Sequence, residues 1–231
     1  MPMACVVLRC SRMETTGKFI TIEGIEGSGK STQQQLLAAR LRERGRRCVL
    51  TKEPGGTLIG RDIRGILLNP NHGAMTPVCE ALLYLADRAQ HHVEVVSPQL
   101  AAGFWVISDR YHDSTLAYQG AARGLSREHL DRLFHLATQN LKPDLTILLD
   151  LEPTTGLLRA QQRNHHEQVT HTEGRFEAER LHFHQAVRRA YLALAAAEPD
   201  RFRIVPAEGD ATEIAERVFQ EVRERWKETL V

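Results

Sequence analysis

Residues 19–31 read FITIEGIEGSGKS, and their pattern specifies the class of fold. Residues 19–23 are mostly apolar or β-branched, which is typical of a short buried strand. Residues 24–31 match GxxxxGK(S/T), a pattern that cradles phosphates when it joins a strand to a helix. The residues that follow supply this helix, because leucines at positions 36, 37 and 41 share one face and Gly45 is placed to end it. A helix is therefore predicted from about residue 30.

The glycine-rich segment predicts a nucleoside triphosphate site. Its glycines let backbone N–H groups turn towards an anionic phosphate, and the helix N-terminus adds the positive end of its dipole. Lys30 can reach the terminal phosphates, and the Ser31 hydroxyl can hold Mg²⁺. The alternative, a strand–helix turn without a ligand, is disfavoured because motif and context agree. The predicted contacts to the ATP phosphates are Gly24, Glu26, Gly27, Ser28, Gly29, Lys30, Ser31 and Thr32.

Outward from this segment, short apolar runs alternate with longer segments of helical periodicity, as in α/β proteins with a mainly parallel sheet. Further strands are predicted at residues 48–51, 104–108, 145–151 and 202–205. Further helices are predicted over 59–67, from 77 to about 95, from 126, from 153, over 176–197 and over 214–226. We therefore predict the three-layer α/β fold of P-loop NTPases, with a mainly five-stranded parallel sheet flanked by helices and a short lid.

Composition narrows the class of protein. The 231 residues are 42% hydrophobic and 26% charged, which suits one large globular domain. A formal net charge of +1 gives no global field towards nucleic acid or an anionic membrane, so neither is expected as a partner. The apolar runs are far shorter than the ~20 residues of a membrane span. The cysteines at positions 5, 10, 48 and 79 lack CxxC spacing, so a reducing cytoplasm is expected, without structural zinc or disulfides.

Residues 1–17 are predicted to be a disordered extension outside the fold. Their apolar run, residues 6–8, is shorter than the core of a signal peptide, which has about 7–15 residues. Translation could begin at Met13 instead of Met1. Residues 18–231 are predicted to form one domain.

A second anion site is predicted where the strand 104–108 ends, since open α/β sheets bind ligands at the carboxyl ends of their strands. Asp109 could hold Mg²⁺ directly or through water, and Arg110 could bind a phosphate with two hydrogen bonds. A structural ion pair at the strand end is the alternative. Glu26 is expected to face a substrate, because a carboxylate beside phosphates is repelled unless it meets a hydroxyl, an amine or a metal ion.

The loop at residues 24–31 has no basic residue at its variable positions. Phosphoryl transfer needs further positive charge over the migrating group. Arg159, Arg163 and Arg175 flank the polar, histidine-rich stretch 164–174, which lacks helical or strand periodicity and predicts a mobile loop. These arginines are candidates for a lid at about 159–177, although an ordinary solvated helix face would have the same pattern.

A base site is predicted on the helix that begins at residue 77. Tyr84 and Arg88 are four residues apart, so they share a face and could offer a ring and a guanidinium to one planar base. Tyr84 fits equally well as a core residue. The turn at 53–57, EPGGT, either approaches a ligand with its backbone or is only a turn. Residues 114–120, STLAYQG, could read a base edge or begin a capped helix.

Five segments together resemble bacterial thymidylate kinase. They are GIEGSGKS at 24–31, EPGGT at 53–57, LLYLADRAQ at 82–90, DRYHDSTLAYQG at 109–120 and KPDLTILLDL at 142–151. Many NTPases share the first segment, but the combination is far more specific, and the likeness covers nearly the whole chain from about residue 18. The resemblance implies a Mg²⁺-dependent nucleoside-monophosphate kinase, usually a homodimer, that transfers the γ-phosphoryl group of ATP to dTMP for dTTP biosynthesis.

The resemblance also implies roles for individual residues. Arg64 and Arg110 would hold the dTMP phosphate, Tyr84 would stack on thymine where the family commonly has Phe, and Arg88 would reach a thymine carbonyl. Glu26 would meet the sugar 3′-hydroxyl. The full predicted set for dTMP is Glu26, Glu53, Pro54, Arg64, Tyr84, Arg88, Arg110, Ser114, Thr115 and Gln119. The predicted catalytic set is Lys30, Asp109, Arg110, Arg159, Arg163 and Arg175, with Ser31 and Asp109 for Mg²⁺ and Arg163 the best placed of the lid arginines.

The chain departs from the family pattern in its lid. The lid is longer than the short bacterial form and contains His165, His166 and His171, for which a polar insertion is favoured over a metal site. Glycine precedes Arg175 where the family commonly has an acidic residue, and Gln161 stands where some relatives have arginine. Which arginine closes over the phosphates therefore stays open.

Three other functions fit the sequence less well. The nearest alternative is a kinase of another acceptor, such as dUMP or a deoxynucleoside. A nucleoside kinase would have little use for both Arg64 and Arg110, because its acceptor carries no phosphate. A GTP-dependent switch would normally carry an (N/T)KxD element at a strand end, and the sequence has none there. An inactive P-loop paralogue, used as a binding module, is disfavoured by four intact residues, namely Lys30, Ser31, Asp109 and Arg110.

Overall fold

The computed structural model describes residues 17–167 and 174–230, and it describes the side chains of these residues except at 163–167. Five strands form one sheet in the order β2-β3-β1-β4-β5, and all four pairings are parallel. The strands are β1 at Lys18–Glu23, β2 at Cys48–Lys52, β3 at Trp105–Asp109, β4 at Leu145–Asp150 and β5 at Phe202–Pro206. All five predicted strands and the five-stranded parallel sheet are confirmed.

Nine α-helices occur in the described parts of the chain. They are α1 at Lys30–Glu43, α2 at Leu58–Leu68, α3 at Pro77–His91, α4 at Ser97–Ala101, α5 at His112–Thr115, α6 at Arg127–Thr138, α7 at Pro153–Glu167, α8 at Leu181–Ala197 and α9 at Ala211–Arg225. A 3₁₀ turn lies at Pro70–His72, and π-helical segments lie at His92–Val96 and Leu116–Ala122.

The helices pack against both faces of the sheet. Along β1, alternate residues enter different clusters: Phe19 packs with Val106 and Phe134, whereas Ile20 and its neighbour Ile107 belong to the larger core. This alternation is expected of a central strand that is covered on both sides. Helix α1 packs against α9, and α8 packs against β4 and β5. In the described parts of the chain, no helix is both long and apolar enough to span a bilayer.

The predicted start of helix α8 was wrong. The helix predicted over 176–197 begins only at Leu181, because Arg175 and Phe176 lie in a turn that is fixed by tertiary contacts. The Arg175 backbone N–H donates to the Leu68 carbonyl, and the Phe176 ring is buried beside Tyr118. The apolar residue at 176 thus reflects burial rather than a continuing helical face.

The predicted loop at 164–174 is also different from the structure. Helix α7 continues to Glu167, so the first four residues of that stretch are helical. Residues 168–173, which include His171, and most of the predicted N-terminal extension lie outside the described residues.

Parallel pairing brings three strand ends to one level. Ile22 and Lys52 both stand opposite Asp109 in the registers of β1 and β2 with β3. The segments that leave these strands therefore emerge side by side. They are the glycine-rich loop after β1, the EPGGT turn after β2 and the segment from Arg110 after β3.

Candidate active site

The glycine-rich loop wraps around the side chain of Lys30. The Lys30 ammonium donates hydrogen bonds to the carbonyls of Gly24 (3.1 Å) and Ile25 (2.8 Å). Gly27 has a positive φ of 71°, and a Cβ there would lie 2.0 Å from the Gly156 carbonyl oxygen, so the loop needs glycine at this position. Burial and the neighbouring Arg110 guanidinium lower the pKa of Lys30 to about 8. An incoming anionic phosphate would favour the charged lysine.

Two oxygen donors meet where the loop and β3 end. The Ser31 hydroxyl donates to Asp109 Oδ2 at 2.7 Å. A hydroxyl and a carboxylate are the hard oxygen donors that Mg²⁺ prefers, and Mg²⁺ at phosphate sites usually takes only one or two protein ligands. The donor set therefore fits the predicted ion. Where the structure describes side chains, no group of three or more His, Cys, Asp or Glu forms a richer metal site.

Arg110 is turned back over the loop by a strained backbone. Its φ of 72° is in the left-handed region, which is costly for a residue other than glycine. Its backbone N–H donates to the Ile22 carbonyl at 3.1 Å. The guanidinium donates to the Gly24 carbonyl (3.0 Å) and to Glu26 Oε1 (3.0 Å), and it lies over the Tyr118 ring. The strain thus serves to aim a cation at the loop.

Glu26 is held by three donors. Its Oε1 accepts from Arg110 and from the Tyr118 hydroxyl (2.6 Å), and its Oε2 accepts from His184 Nδ1 (3.2 Å). Burial opposes ionisation of Glu26, but the His184 hydrogen bond and the charges of Arg110 and Lys30 outweigh it and lower its pKa below the usual value. Glu26 is therefore an ionised acceptor, which is the state that a substrate hydroxyl would meet.

Glu23, the last residue of β1, is buried behind Arg110. Its Oε1 accepts from the Tyr111 backbone N–H (2.8 Å), and its Oε2 accepts from Ser114 Oγ (2.6 Å) and the Tyr191 hydroxyl (2.8 Å). Ser114 Oγ and the Tyr191 hydroxyl also lie within 3.2 Å of one Arg110 nitrogen. Burial and the nearby Asp113 carboxylate raise the pKa of Glu23 to about 7.

The predicted base site faces the same opening. Tyr84 is half-buried, with its ring 6.4 Å from that of Phe176. Arg88 is only 1% exposed and donates to Glu53 Oε2 (2.7 Å) and Thr115 Oγ1 (2.9 Å). Arg64 donates to the Pro54 carbonyl at 3.2 Å.

A cavity of about 620 Å³ joins the loop to the base site. This volume is in the usual range for sites that bind small molecules. The predicted residues that line it are Glu26, Gly27, Gly29, Lys30, Ser31, Thr32, Glu53, Pro54, Arg64, Tyr84, Arg88, Asp109, Arg110, Ser114, Gln119 and Arg159. Three predicted residues, Gly24, Ser28 and Thr115, lie directly behind this lining and contact it or the loop.

The three candidate lid arginines are in different environments. Arg159 lines the cavity and donates to the Ala207 carbonyl at 2.9 Å. Arg163 belongs to α7, but its side chain lies outside the described residues, as do those of His165 and His166. Arg175 is buried away from the cavity lining, where it pairs with Glu80 at 2.7 Å.

Sequence reasoning missed four residues that hold the site together, namely Glu23, Tyr118, His184 and Tyr191. Tyr118 stood inside the quoted stretch STLAYQG, and Glu23 was the only acidic residue of the first strand, so both had a local signal. His184 and Tyr191 lie on α8, about 160 residues after the loop, and no local pattern marks them.

The chain is similar to known proteins over most of its length. Residues 22–218 match the family model described as Thymidylate kinase. The thymidylate kinase of Desulforapulum autotrophicum is 52% identical over 204 residues, which are 88% of each chain. That of Solidesulfovibrio magneticus is 51% identical over 201 residues, 87% of this chain and 96% of its own. The crystal structure of thymidylate kinase from Ehrlichia chaffeensis is similar with a TM-score of 0.72 and 30% identity, covering 90% of this chain and 98% of that one.

The raised pKa of Glu23 predicts a pH-dependent stability. Between the ordinary value of 4.5 and about 7, the folded protein binds more protons at Glu23 than the unfolded chain does. The free energy of unfolding that Glu23 contributes therefore falls as pH rises through this window. In urea denaturation, we expect the difference between wild type and Glu23→Gln to be about 2 kcal/mol larger at pH 5 than at pH 7.5.

The exposed Gln35 on α1 provides the control, because Gln35→Ala changes no titratable group and should differ from wild type by the same amount at both pH values. A difference for Glu23→Gln that does not change with pH would mean that Glu23 titrates normally in the folded protein.

Proposed function

This chain belongs to the thymidylate kinase family and phosphorylates dTMP to dTDP with ATP, and from that premise we propose which residues perform each part of the transfer. The observation that carries the proposal is the convergence of Lys30 and Arg110 on the Gly24 carbonyl, at the junction of the loop and the base site. Two cations at this junction suit a phosphoryl group that passes from one anion to another. We also propose a cytoplasmic location, in line with the cysteine pattern.

The acceptor phosphate would be held by Arg110 and Arg64. Both line the cavity, and a guanidinium matches the geometry of phosphate oxygens with paired hydrogen bonds. Arg110 now donates to Glu26, so phosphate binding would take over part of its donor capacity and leave Glu26 available to the sugar 3′-hydroxyl. Tyr84 would stack on thymine, and Arg88 would reach its carbonyl edge, with Ser114, Thr115, Gln119, Glu53 and Pro54 around the nucleoside.

The donor phosphates would lie in the loop. Lys30 has two of its three ammonium hydrogens on loop carbonyls, and β- and γ-phosphate oxygens would compete for them. Ser31 and Asp109 would hold Mg²⁺, which when bound neutralises phosphate charge. The remaining positive charge would come from the lid proposed at 159–177. Arg159 has structural support because it lines the cavity, whereas the expected role of Arg163 stays a prediction.

The transfer would be direct and in line, without a phosphoenzyme. The dTMP phosphate is already ionised at neutral pH, so no strong general base is needed to activate it. The residues would contribute by positioning the two phosphates and by balancing their charge. The buried cations and dipoles would act in a water-poor cavity, where their effect on charge is larger than in bulk water.

A homodimer is the other part of the proposal. Val78 and Leu82 on α3 are 57% and 49% exposed, and Leu136 on α6 is 80% exposed. Helix α3 packs against both α2 and α6, so the helices that carry these side chains are neighbours. Exposed apolar clusters of this kind are typical of surfaces between protein chains.

The first test is an ADP-release assay with ATP and Mg²⁺ against dTMP, dUMP, thymidine, AMP, CMP and GMP in parallel. We expect strong release with dTMP, weaker release with dUMP, and background release with the others, because only these two combine the acceptor phosphate with a pyrimidine that offers the same carbonyl edge. Robust ADP release with a purine nucleotide or CMP would leave the residues assigned to the phosphates unchanged but would overturn the residues assigned to the base.

Arg110→Ala tests the acceptor site. Loss of a charge-assisted phosphate contact should lower kcat/KM for dTMP by about 10²–10³ while the affinity for an ATP analogue changes by less than about threefold. Steady-state kinetics and calorimetric titration would measure the two quantities. The exposed Arg132 on α6 gives the control, because Arg132→Ala should leave both unchanged. Unaltered dTMP kinetics in Arg110→Ala would contradict the assignment.

Leu82→Glu tests the dimer. A charge in a buried apolar interface is strongly unfavourable, so we expect the wild type to have twice the chain mass in light scattering and the variant to be monomeric. Leu158→Glu is the matched control, since Leu158 is an equally apolar and 59% exposed residue on α7. A monomeric wild type, or a variant that remains dimeric, would refute this part of the proposal.

A further inference from the structure

Beneath the base site, buried polar side chains from β2, the EPGGT turn and α3 form one hydrogen-bonded chain. His91 Nε2 lies 2.5 Å from Thr51 Oγ1, and His91 Nδ1 lies 2.7 Å from Glu53 Oε1. Glu53 Oε2 in turn accepts from Arg88 Nε at 2.7 Å. Glu53 and Arg88 line the cavity, whereas His91 is fully buried and does not. His91 is thus one step removed from any ligand.

The directions of these hydrogen bonds follow from the charge of Glu53. Burial opposes its ionisation, but Arg88 and the hydrogen bond from His91 lower its pKa below the ordinary value. An ionised carboxylate can only accept, so His91 Nδ1 carries a hydrogen in either protonation state of the ring. The two oxygens of Glu53 each receive one short hydrogen bond, from His91 and from Arg88, and this fixes the plane of the carboxylate.

The turn is shaped to fit this arrangement. A Cβ on Gly56 would lie 2.6 Å from His91 Cδ2 and 2.8 Å from Thr51 Oγ1, so the second glycine of EPGGT makes room for the bond between these two side chains. The neighbouring Asp87 accepts from the Gly55 backbone N–H at 2.9 Å and ties the same turn to α3.

The series of hydrogen bonds from Thr51 through His91 and Glu53 ends at the guanidinium of Arg88. Besides Glu53, it donates to Thr115 Oγ1 at 2.9 Å and to the Tyr111 carbonyl at 3.0 Å. Three of its five N–H groups are therefore committed, and the remaining two are available to a ligand. The direction of these two groups depends on the position of Glu53, which depends on His91.

We propose that His91 is a positioning residue that sets the affinity for dTMP through Glu53 and Arg88. The inference rests on the proposed contact between Arg88 and the thymine carbonyl edge. Loss of the His91 donor leaves one oxygen of a buried carboxylate without its partner, so Glu53 must rotate or draw Arg88 away from the base. ATP binding, which depends on the loop on the other side of the cavity, is unaffected.

The test compares His91→Asn with His91→Gln in the full-length protein. The Asn amide nitrogen can occupy the position of Nδ1 and still donate to Glu53, whereas the longer Gln amide reaches towards Nε2 and Thr51. Both variants lose the ring, so both lose packing. We expect His91→Gln to raise KM for dTMP about tenfold with KM for ATP within about twofold, and His91→Asn to stay within about threefold of wild type for both.

Two further variants separate the possible causes. Val218→Ala removes buried volume from α9, which takes no part in the hydrogen bonds around Glu53. This variant should lower thermal stability without raising KM for dTMP. Arg88→Lys should raise KM for dTMP at least as much as His91→Gln does. An unchanged KM for dTMP in Arg88→Lys would show that Arg88 does not contact the base. It would overturn both the proposed base site and the role of His91.

If Arg88→Lys raises KM for dTMP but His91→Gln does not, the proposed base site stands and the role of His91 is refuted. Equal effects of Asn and Gln, or an equal rise in KM for ATP, would likewise show that His91 contributes only packing.

Discussion

The position of β3 between β1 and β2 determines where the glycine-rich loop, the EPGGT turn and the segment from Arg110 begin. Parallel pairing sets Ile22 and Lys52 opposite Asp109, so three chain segments leave the sheet at the same height. The Glu53 backbone N–H continues the ladder to the Asp109 carbonyl, and that of Arg110 continues it to Ile22. Because the backbone is fixed beyond the ends of the strands, the first side chains after them start from the same edge of the sheet.

The pairing of buried charges determines how the side chains of the site are arranged. Glu23, Glu26, Lys30 and Arg110 lie within one small volume, where an isolated charge would be very costly. Each has a partner: Lys30 has loop carbonyls, Arg110 has Glu26, and Glu23 has three neutral donors. Each of these four charged groups is thus compensated within the protein. A substrate phosphate must replace these existing contacts. Only the free energy by which its own contacts exceed them contributes to binding, which favours a well-fitting anion over other anions.

The sequence predicted what local patterns encode. The pattern of apolar and β-branched residues located all five strands, and the spacing of Gly24, Lys30 and Ser31 located the loop. The sequence could not show which distant groups complete the site. His184 is hydrogen-bonded to Glu26 at a sequence separation of 158 residues, and Tyr191 to Glu23 at a separation of 168. The helix boundary at Leu181 was missed for the same reason. Phe176 fits the helical period, but its burial against Tyr118 comes from tertiary packing.

The lid arginines show why charge counting along a sequence does not assign function. Arg159, Arg163 and Arg175 are equivalent as a pattern, yet Glu80 on α3 is fully buried and takes its partners from what surrounds it. Its carboxylate accepts from Gln119 at 2.7 Å and pairs with both Arg123 and Arg175. A buried anion with two guanidiniums is strongly stabilised relative to one that has lost a partner, so Arg175 is committed to Glu80. Among the described side chains of the three lid arginines, Arg159 reaches the cavity, and the buried acid at position 80 is the physical reason that Arg175 does not.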